Sequence, residues 1–210
     1  MRAECYNFLG TVFRIISMSR IENLKAKVAD LYLAKASDRD DWADWLFENH
    51  VFVVAKNAER IAERFGAKKD LAIAAAMLHD VADSVMSRED ESHEEKSLSM
   101  ARRLLCECNF SEEEISIIVD DAIRFHGCRG VNIPKTLEGR AMASADAIAH
   151  LQTDFYDFAL KTLQKEETME NIRLWALPKI ERDYRIKISF EELRGEMNAE
   201  YERAKNLFTA

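Results

Sequence analysis

The amino-acid sequence predicts an all-α fold, and three observations support this. The 210 residues include only 6 Gly and 2 Pro, too few for the many turns of a β-rich fold. Hydrophobic residues make up 48% of the chain and charged residues 32%, a composition typical of a globular domain with a buried core. Apolar residues recur at helical spacing from the start of "SRIENLKAKVADLYLAK", as at Ile21, Leu24, Val28 and Leu31. We therefore expect one helical domain over residues 19–210.

The first half of the chain contains three candidate helices. The segment "SRIENLKAKVADLYLAK" forms the first. The second is expected to begin after the capping candidates Ser37 and Asp38 and to end at Gly66, a residue suited to a left-handed helix cap. Asp70 is expected to cap the third helix, "LAIAAAMLHDVADSVM", whose alanines allow close packing at the centre of a bundle. The polar segment "SREDES" then interrupts the pattern.

The second half contains further helices separated by one marked loop. "HEEKSLSMARRLLCEC" is the fourth helix, and "SEEEISIIVDDAIRFHG" is the fifth, with a capping box at Ser111 and Glu114 and an end at Gly127. The loop "CRGVNIPKT" precedes the sixth, "EGRAMASADAIAHLQTDF". The remaining segments predict amphipathic helices with charged outer faces, and Pro178 is expected to kink or interrupt the first of them. We expect these helices to form an accessory hairpin or a dimer surface without catalytic residues.

Charge and composition disfavour several classes of protein. A formal net charge of -8 and a pI near 5.3 argue against non-specific binding to duplex nucleic acid, which needs a dense basic surface. Arg14 and Arg20 interrupt the best apolar run before it reaches the roughly 18 to 20 residues of a membrane helix. The cysteines include no Cys-x-x-Cys pair, so we expect reduced, mostly buried thiols in a cytoplasmic protein rather than a zinc site; they are Cys5, Cys106, Cys108 and Cys128.

Residues 1–18 are expected to form an N-terminal extension of the domain. The stretch "MRAECYNFLGTVFRIIS" carries Glu4 where a signal peptide has positive charge, and it lacks a small-residue cleavage site. Met18 is a second candidate for the start of the chain, and with that start the preceding residues are a loosely packed extension.

The doublet His79-Asp80 follows an almost wholly apolar run, Leu71 to Met77, at the position where a core segment would be expected. Burying an unpaired carboxylate costs several kcal/mol, and a divalent metal is one of the few partners that offsets this cost. His50 and Asp146 also lie among small and apolar neighbours. A single His is more often a hydrogen-bonded core residue, and a single Asp more often a cap or surface charge. Four such positions on three separate apolar stretches favour a metal site.

The order His50, His79-Asp80, Asp146 resembles the signature of the HD-domain metal-dependent phosphohydrolases, a helical superfamily. The contexts "WLFENHVFVVAKNAERIAERFG", "AIAAAMLHDVADS" and "GRAMASADAIAHL" are similar to the family's motifs. The resemblance covers roughly residues 40–155 and implies an HD-domain helical bundle with additional C-terminal helices over about 156–210. It also implies that these four residues bind one divalent ion, such as Mn, Mg, Co, Fe or Ni, whose identity the mixed N/O ligands do not select.

The resemblance further implies hydrolysis of a phosphate ester, with catalytic roles for three more residues. Asp83, one helical turn beyond Asp80, is expected to face the same cleft and to orient or deprotonate water; the alternative is a surface Asp near a helix end. His93 and His126 match family positions that bind a second metal, contact the substrate phosphate or relay protons. Some two-metal members have a His pair where this chain has His126 alone, so a second metal through His93 and His126 is left open.

Positive charge for a phosphorylated substrate is expected from loops around the cleft. Arg binds phosphate in a bidentate manner and Lys binds it as a point charge, although each candidate could equally be a solvated surface residue. Arg140, near the start of the helix with Asp146, is the strongest candidate. His150 is expected to support the metal ligands or the structure rather than to bind the ion. The other candidate cations are Arg88, Lys96, Arg129 and Lys135.

The sequence thus predicts a divalent-metal-dependent phosphohydrolase acting on a small phosphorylated molecule, such as a nucleotide or a related phosphate ester. One alternative is a catalytically silent module of the same fold that binds a metal and a nucleotide for regulation. A second is an oxygenase with a two-iron version of the fold, which a single metal per chain would disfavour. We expect no membrane and no duplex nucleic acid as partner, and a homodimer is left open.

Overall fold

The computed structural model describes residues 18–209, which fold into helices without a β-strand among them, so the predicted fold class is confirmed. The predicted extension before Met18, which includes Cys5, lies outside the described residues. The choice between Met1 and Met18 as the start of the chain stays a prediction. The α-helices are α1 Arg20–Leu33, α2 Ala43–Leu46, α3 Phe52–Phe65, α4 Lys69–Leu78, α5 His93–Glu107, α6 Glu112–Ile115, α7 Leu137–Gln152, α8 Phe155–Leu163, α9 Met169–Arg182, α10 Glu191–Glu196 and α11 Asn198–Thr209. Wider, π-helical turns occupy Phe47–Val51, Ser116–Ile123 and Asp183–Lys187, and a 3-10 turn occupies Val81–Ser84.

Helix α7 lies at the centre of the bundle and packs against α3 and α4. It is buried on almost every side from Gly139 to Leu151, as a helix in the middle of a core must be. Small residues dominate the contact between α7 and α4, because both helices contain several buried alanines. Little side-chain volume separates the helix axes, and polar side chains on facing helices are therefore brought close together.

Several predicted helix ends are confirmed. Ser111 and Glu114 form the predicted capping box at the start of α6, with each side chain bonded to the other's backbone N–H. Gly66 ends α3 with φ of 79°, a left-handed conformation that glycine adopts without steric cost. Ser19 forms a second capping box at the start of α1.

Two predicted caps are wrong. The helical segment before His50 begins at Ala43, and Ser37 instead donates a hydrogen bond to the neighbouring Asp38 side chain, 2.8 Å away. Helix α4 begins one residue before Asp70, which lies in its first turn and pairs with Arg20 at 3.2 Å. A carboxylate in the first turn still favours the helix, because it faces the positive end of the helix dipole.

Three other predicted boundaries are also corrected. The third helix ends at Leu78 instead of running to Met86. The fifth helical segment ends at Ile123, before Gly127, and the left-handed residue after it is Cys128, with φ of 48°. Helix α9 runs through Pro178, so this proline does not interrupt it. Within residues 18–209, no helix is both long enough and apolar enough to cross a membrane.

Candidate metal centre

Four of the chain's five histidines meet at one side of α7. The ring centroids of His50 and His79 lie 5.6 Å apart, and those of His79 and His126 lie 5.3 Å apart. His150 stacks on His50 at 4.7 Å. His50 comes from the first π-helical turn and His150 from α7, so helices distant in sequence supply the cluster.

The backbone changes direction between His79 and Asp80. On a continuous helix these neighbours would diverge by about 100°. His79 keeps helical angles, but Asp80 has φ of -127° and ψ of 38°, and the following residues form the 3-10 turn. The two side chains therefore converge, with His79 Nε2 at 3.6 Å from Asp80 Oδ2. The expectation that both residues lie within one helix is wrong, and the break after His79 is what brings the doublet together.

Asp146 lies at the centre of the cluster and is 2% exposed. Its Oδ1 atom is 3.0 Å from His50 Nε2, 3.4 Å from His150 Nε2 and 3.8 Å from His79 Nε2. None of these contacts has the geometry of a hydrogen bond, and Oδ1 is a buried atom without a hydrogen-bond partner. Such an atom is costly unless a cation satisfies it. His50, His79 and Asp146 each offer one atom within 4.8 Å of the others, so these three residues can hold a metal ion.

The protonation of the imidazoles suits this role. His79 Nδ1 lies 2.8 Å from the carbonyl oxygen of Ala76, and His126 Nδ1 lies 2.6 Å from that of Ile123. A carbonyl can only accept, so in both residues Nδ1 carries the proton and the Nε2 lone pair faces the cluster. Burial lowers the pKa of His50 below its ordinary value and that of His126 to about 4, which keeps both rings neutral.

Asp80 and Asp83 share one guanidinium group. Arg88 Nη2 lies 2.7 Å from Asp80 Oδ2 and also bonds Asp83 Oδ2, while Arg88 Nε lies 3.2 Å from Asp83 Oδ1. Although burial alone would raise it, Arg88 and the neighbouring histidines hold the pKa of Asp80 well below its usual range. Asp83 is 2% exposed, so the alternative of a surface Asp is wrong.

His93 reaches the cluster through Asp83. Its Nε2 donates to Asp83 Oδ1 at 2.8 Å. Burial alone would lower the pKa of His93, but this bond and the charges of Asp83 and Asp80 together raise it above its ordinary value. His126 lies nearer, with Nε2 at 3.9 Å from Asp80 Oδ1. Within residues 18–209 the group that can hold a metal includes neither His93 nor His126, and a second metal stays a prediction.

The C-terminal helices contribute charged residues that the sequence analysis missed. Lys187, 3% exposed, pairs through Nζ with Asp146 Oδ2, the oxygen that faces away from the imidazoles. Its backbone is fixed to α7, because Ser144 Oγ donates to the Lys187 carbonyl oxygen at 2.9 Å. Burial would lower the pKa of Lys187, but the nearby carboxylates raise it above its ordinary value, so the side chain stays charged.

Asp183 connects Lys187 to a wider buried network. It is fully buried and lies 3.6 Å from Lys187 Nζ and 3.0 Å from Lys179 Nζ. His150 Nδ1 at 3.0 Å and the Tyr156 hydroxyl at 2.6 Å also contact its Oδ2. The sequence signal for these residues is the four-residue spacing of Lys179, Asp183 and Lys187, which an exposed ion-pair series also has.

The remaining predicted substrate cations lie away from the cluster centre. Arg140 is half-buried, with Nε at 3.4 Å from Ser189 Oγ and its guanidinium over the Phe190 ring. Lys96 and Lys135 are exposed, on α5 and in the loop before α7. Arg129 is exposed in the loop after His126. Of the predicted cations, Arg88 is the one in contact with a predicted metal ligand.

The fold and the site together define an all-helical protein whose central helices enclose one buried His/Asp group able to hold a divalent cation. The HD domain family matches residues 47–151, and the chain belongs to this family. A solved structure of a predicted HD superfamily hydrolase from an uncultured Thermotogales bacterium has a similar fold. It is 21% identical, with a TM-score of 0.50, and the match covers 87% of each chain. No curated protein matches the chain.

Proposed function

We propose that this protein is a divalent-metal-dependent phosphohydrolase that acts on a small phosphorylated molecule, such as a nucleotide or a related phosphate ester. The observation that carries the proposal is the buried Asp146 Oδ1, which faces three imidazole nitrogens and has no hydrogen-bond partner. Membership of the HD domain family supports the same reaction class.

The ion would be held by two imidazoles and two carboxylates, those of His50, His79, Asp80 and Asp146. This mixed set of nitrogen and oxygen ligands suits Mn²⁺, Co²⁺ or Fe²⁺ better than Mg²⁺. When bound, such an ion polarises a phosphoryl oxygen and activates water at neutral pH. Asp80 Oδ2 lies 2.7 Å from Arg88 Nη2, and Arg88 also pairs with Asp83, so Arg88 would link the proposed ligand Asp80 to Asp83.

The surrounding residues supply charge and a proton. The Arg88 side chain is 40% exposed, so part of its guanidinium remains available to a phosphate oxygen at the mouth of the site. Asp83 fixes Arg88 in place and accepts a hydrogen bond from His93 Nε2. In this arrangement Asp83 and His93 hold the proton beside the phosphate-binding cation, where it can be passed to a leaving oxygen.

The test is phosphate release from nucleotides and sugar phosphates by protein loaded with Mn²⁺ or Co²⁺. Asp80→Ala is expected to lower the rate by at least about a hundredfold, because metal ions contribute several kcal/mol to transition-state stabilisation. Asp120→Ala is the matched control, since Asp120 forms a surface pair with Arg102 at 2.6 Å. Nucleotide binding without turnover would instead support the regulatory module, and equal rates for both variants would refute the proposal.

A further inference from the structure

A groove of about 500 Å³ lies between the loop after His126 and the end of α9. We call it the arginine groove. Three guanidinium groups, one carboxylate and four less polar residues line it: Arg129, Arg182, Arg185, Glu181, Cys128, Gly130, Pro178 and Ile186. Ile186 is 48% exposed, so the groove opens to solvent and combines an apolar wall with positive charge.

The charges of the groove are not balanced from within the protein. Among residues 18–209, the side chains of Arg129 and Arg182 have no hydrogen bond or ion pair, and Arg182 Nε is a buried atom without a partner. Arg185 is paired with Glu181 at 2.6 Å. Glu181 also accepts a hydrogen bond from the Tyr201 hydroxyl, so it is not free to neutralise the other two arginines.

This excess of positive charge stands out because the whole chain has a formal net charge of -8. Arg182 and Arg185 lie one turn apart at the junction of α9 and the π-helical turn, and Arg129 lines the same groove from the loop after His126. Unpaired guanidinium groups that converge on a cavity are suited to bidentate binding of phosphate oxygens. A buried Nε without a partner adds a donor that an anion would satisfy.

The groove lies near the metal centre, because the charges of Lys187 and Asp146 act on the Cys128 thiol in its lining. Cys128 is two residues after His126, and Lys187 immediately follows Ile186. Burial raises the pKa of the Cys128 thiol to about 11, and the charges of Lys187 and Asp146 also act on it. A ligand in the groove therefore lies close to the site where we propose hydrolysis.

We propose that the arginine groove binds a phosphate-bearing anion. The anion is either a phosphate group of the substrate remote from the scissile bond, or a separate phosphorylated effector. The first source rests on the proposed function, whereas binding itself does not.

The binding test uses metal-free protein and pyrophosphate, measured by titration calorimetry at fixed ionic strength. The double variant Arg129→Gln/Arg182→Gln is expected to bind at least about tenfold more weakly than the parent, because two charge-assisted contacts are lost. The control is Arg64→Gln/Arg102→Gln, which removes two surface arginines paired with Glu196 and Asp120 and gives the same net charge. Equal affinity in the two double variants, or no binding by the parent, would overturn the proposal.

Kinetics with the metal-loaded protein then separate the two sources. If the groove holds part of the substrate, the groove variant raises KM for nucleoside triphosphates and leaves KM for monophosphates unchanged. If it holds an effector, added pyrophosphate changes the rate with a monophosphate in the parent and not in the groove variant. The binding arm needs no turnover, so an inactive protein would refute the proposed function without affecting the result for the groove.

Discussion

Replacing Lys187 by Met tests the structural reasoning most directly. The substitution removes an ammonium group that is 4% exposed and leaves Asp146 Oδ2 buried without its cation. Breaking a buried pair from one side costs about 3 to 5 kcal/mol of unfolding free energy, because the remaining charge is uncompensated. For a chain of this size each kcal/mol lowers Tm by about 2 to 4 °C, which gives about 6 to 20 °C.

The assay is urea unfolding of metal-free protein, followed by circular dichroism. Lys27→Met is the matched control, because Lys27 pairs with Glu107 at 2.7 Å but the two side chains are 35% and 43% exposed. Loss of an exposed pair is expected to have a much smaller effect, because solvent screens the two charges. Saturating Mn²⁺ should narrow the gap between the two variants, since a cation beside Asp146 replaces part of the lost charge. A loss for Lys187→Met no larger than the control would refute the reasoning.

Three further predictions concern acid, packing and metal. The pKa of His126 is about 4 and that of His150 about 3, so between pH 6 and 5 the unfolded chain binds about two more protons than the folded chain. The unfolding free energy should therefore fall by about 2 to 3 kcal/mol as the pH is lowered over that interval. An unfolding free energy that does not change with pH there would contradict this. Gly139→Ala should lower the unfolding free energy by about 1 to 3 kcal/mol, since the added Cβ would lie 3.1 Å from the backbone Cα of Ala122. Gly195→Ala, where the added Cβ would meet open space, should be neutral or stabilising. If urea unfolding gave the reverse order of stability, the described packing around Gly139 would be wrong. Mn²⁺ should raise Tm in the parent, and His79→Ala should abolish the rise; an unchanged rise would exclude His79 as a ligand.

The sequence was sufficient for the fold class and for the histidine and aspartate residues that meet at the site. Alanine-rich apolar runs predicted closely packed helices, and the titratable residues within those runs had few partners other than a metal. His50, His79 and Asp146 do converge, with Asp80 beside them. The signal was strong because a buried carboxylate without a cation is too costly to be tolerated by chance.

The local backbone could not be predicted in the same way. The first π-helical turn contains His50, the second ends shortly before His126, and the third contains Asp183 and Lys187. Each turn adds a residue relative to the 3.6-residue period, so the face that a later side chain occupies shifts, and periodicity alone gives no sign of it. The break after His79 has the same character, since it depends on tertiary contacts that a helix pattern does not record.

The C-terminal residues were missed because exposed and buried charges look alike in sequence. Lys179, Asp183 and Lys187 have the spacing of an ordinary surface ion-pair series. Only the packing against α7 shows that this face is buried.

The pairing of Lys187 with Asp146 also bears on how this domain can be shortened or transplanted. The matched family region ends at residue 151 and contains all four proposed ligands, but the counter-charge of one ligand comes from residue 187. A fragment cut at that boundary would keep its ligands and lose the electrostatic balance of its core. Engineering of this site into another helical scaffold therefore requires the segment from Lys179 to Lys187 to be moved with it.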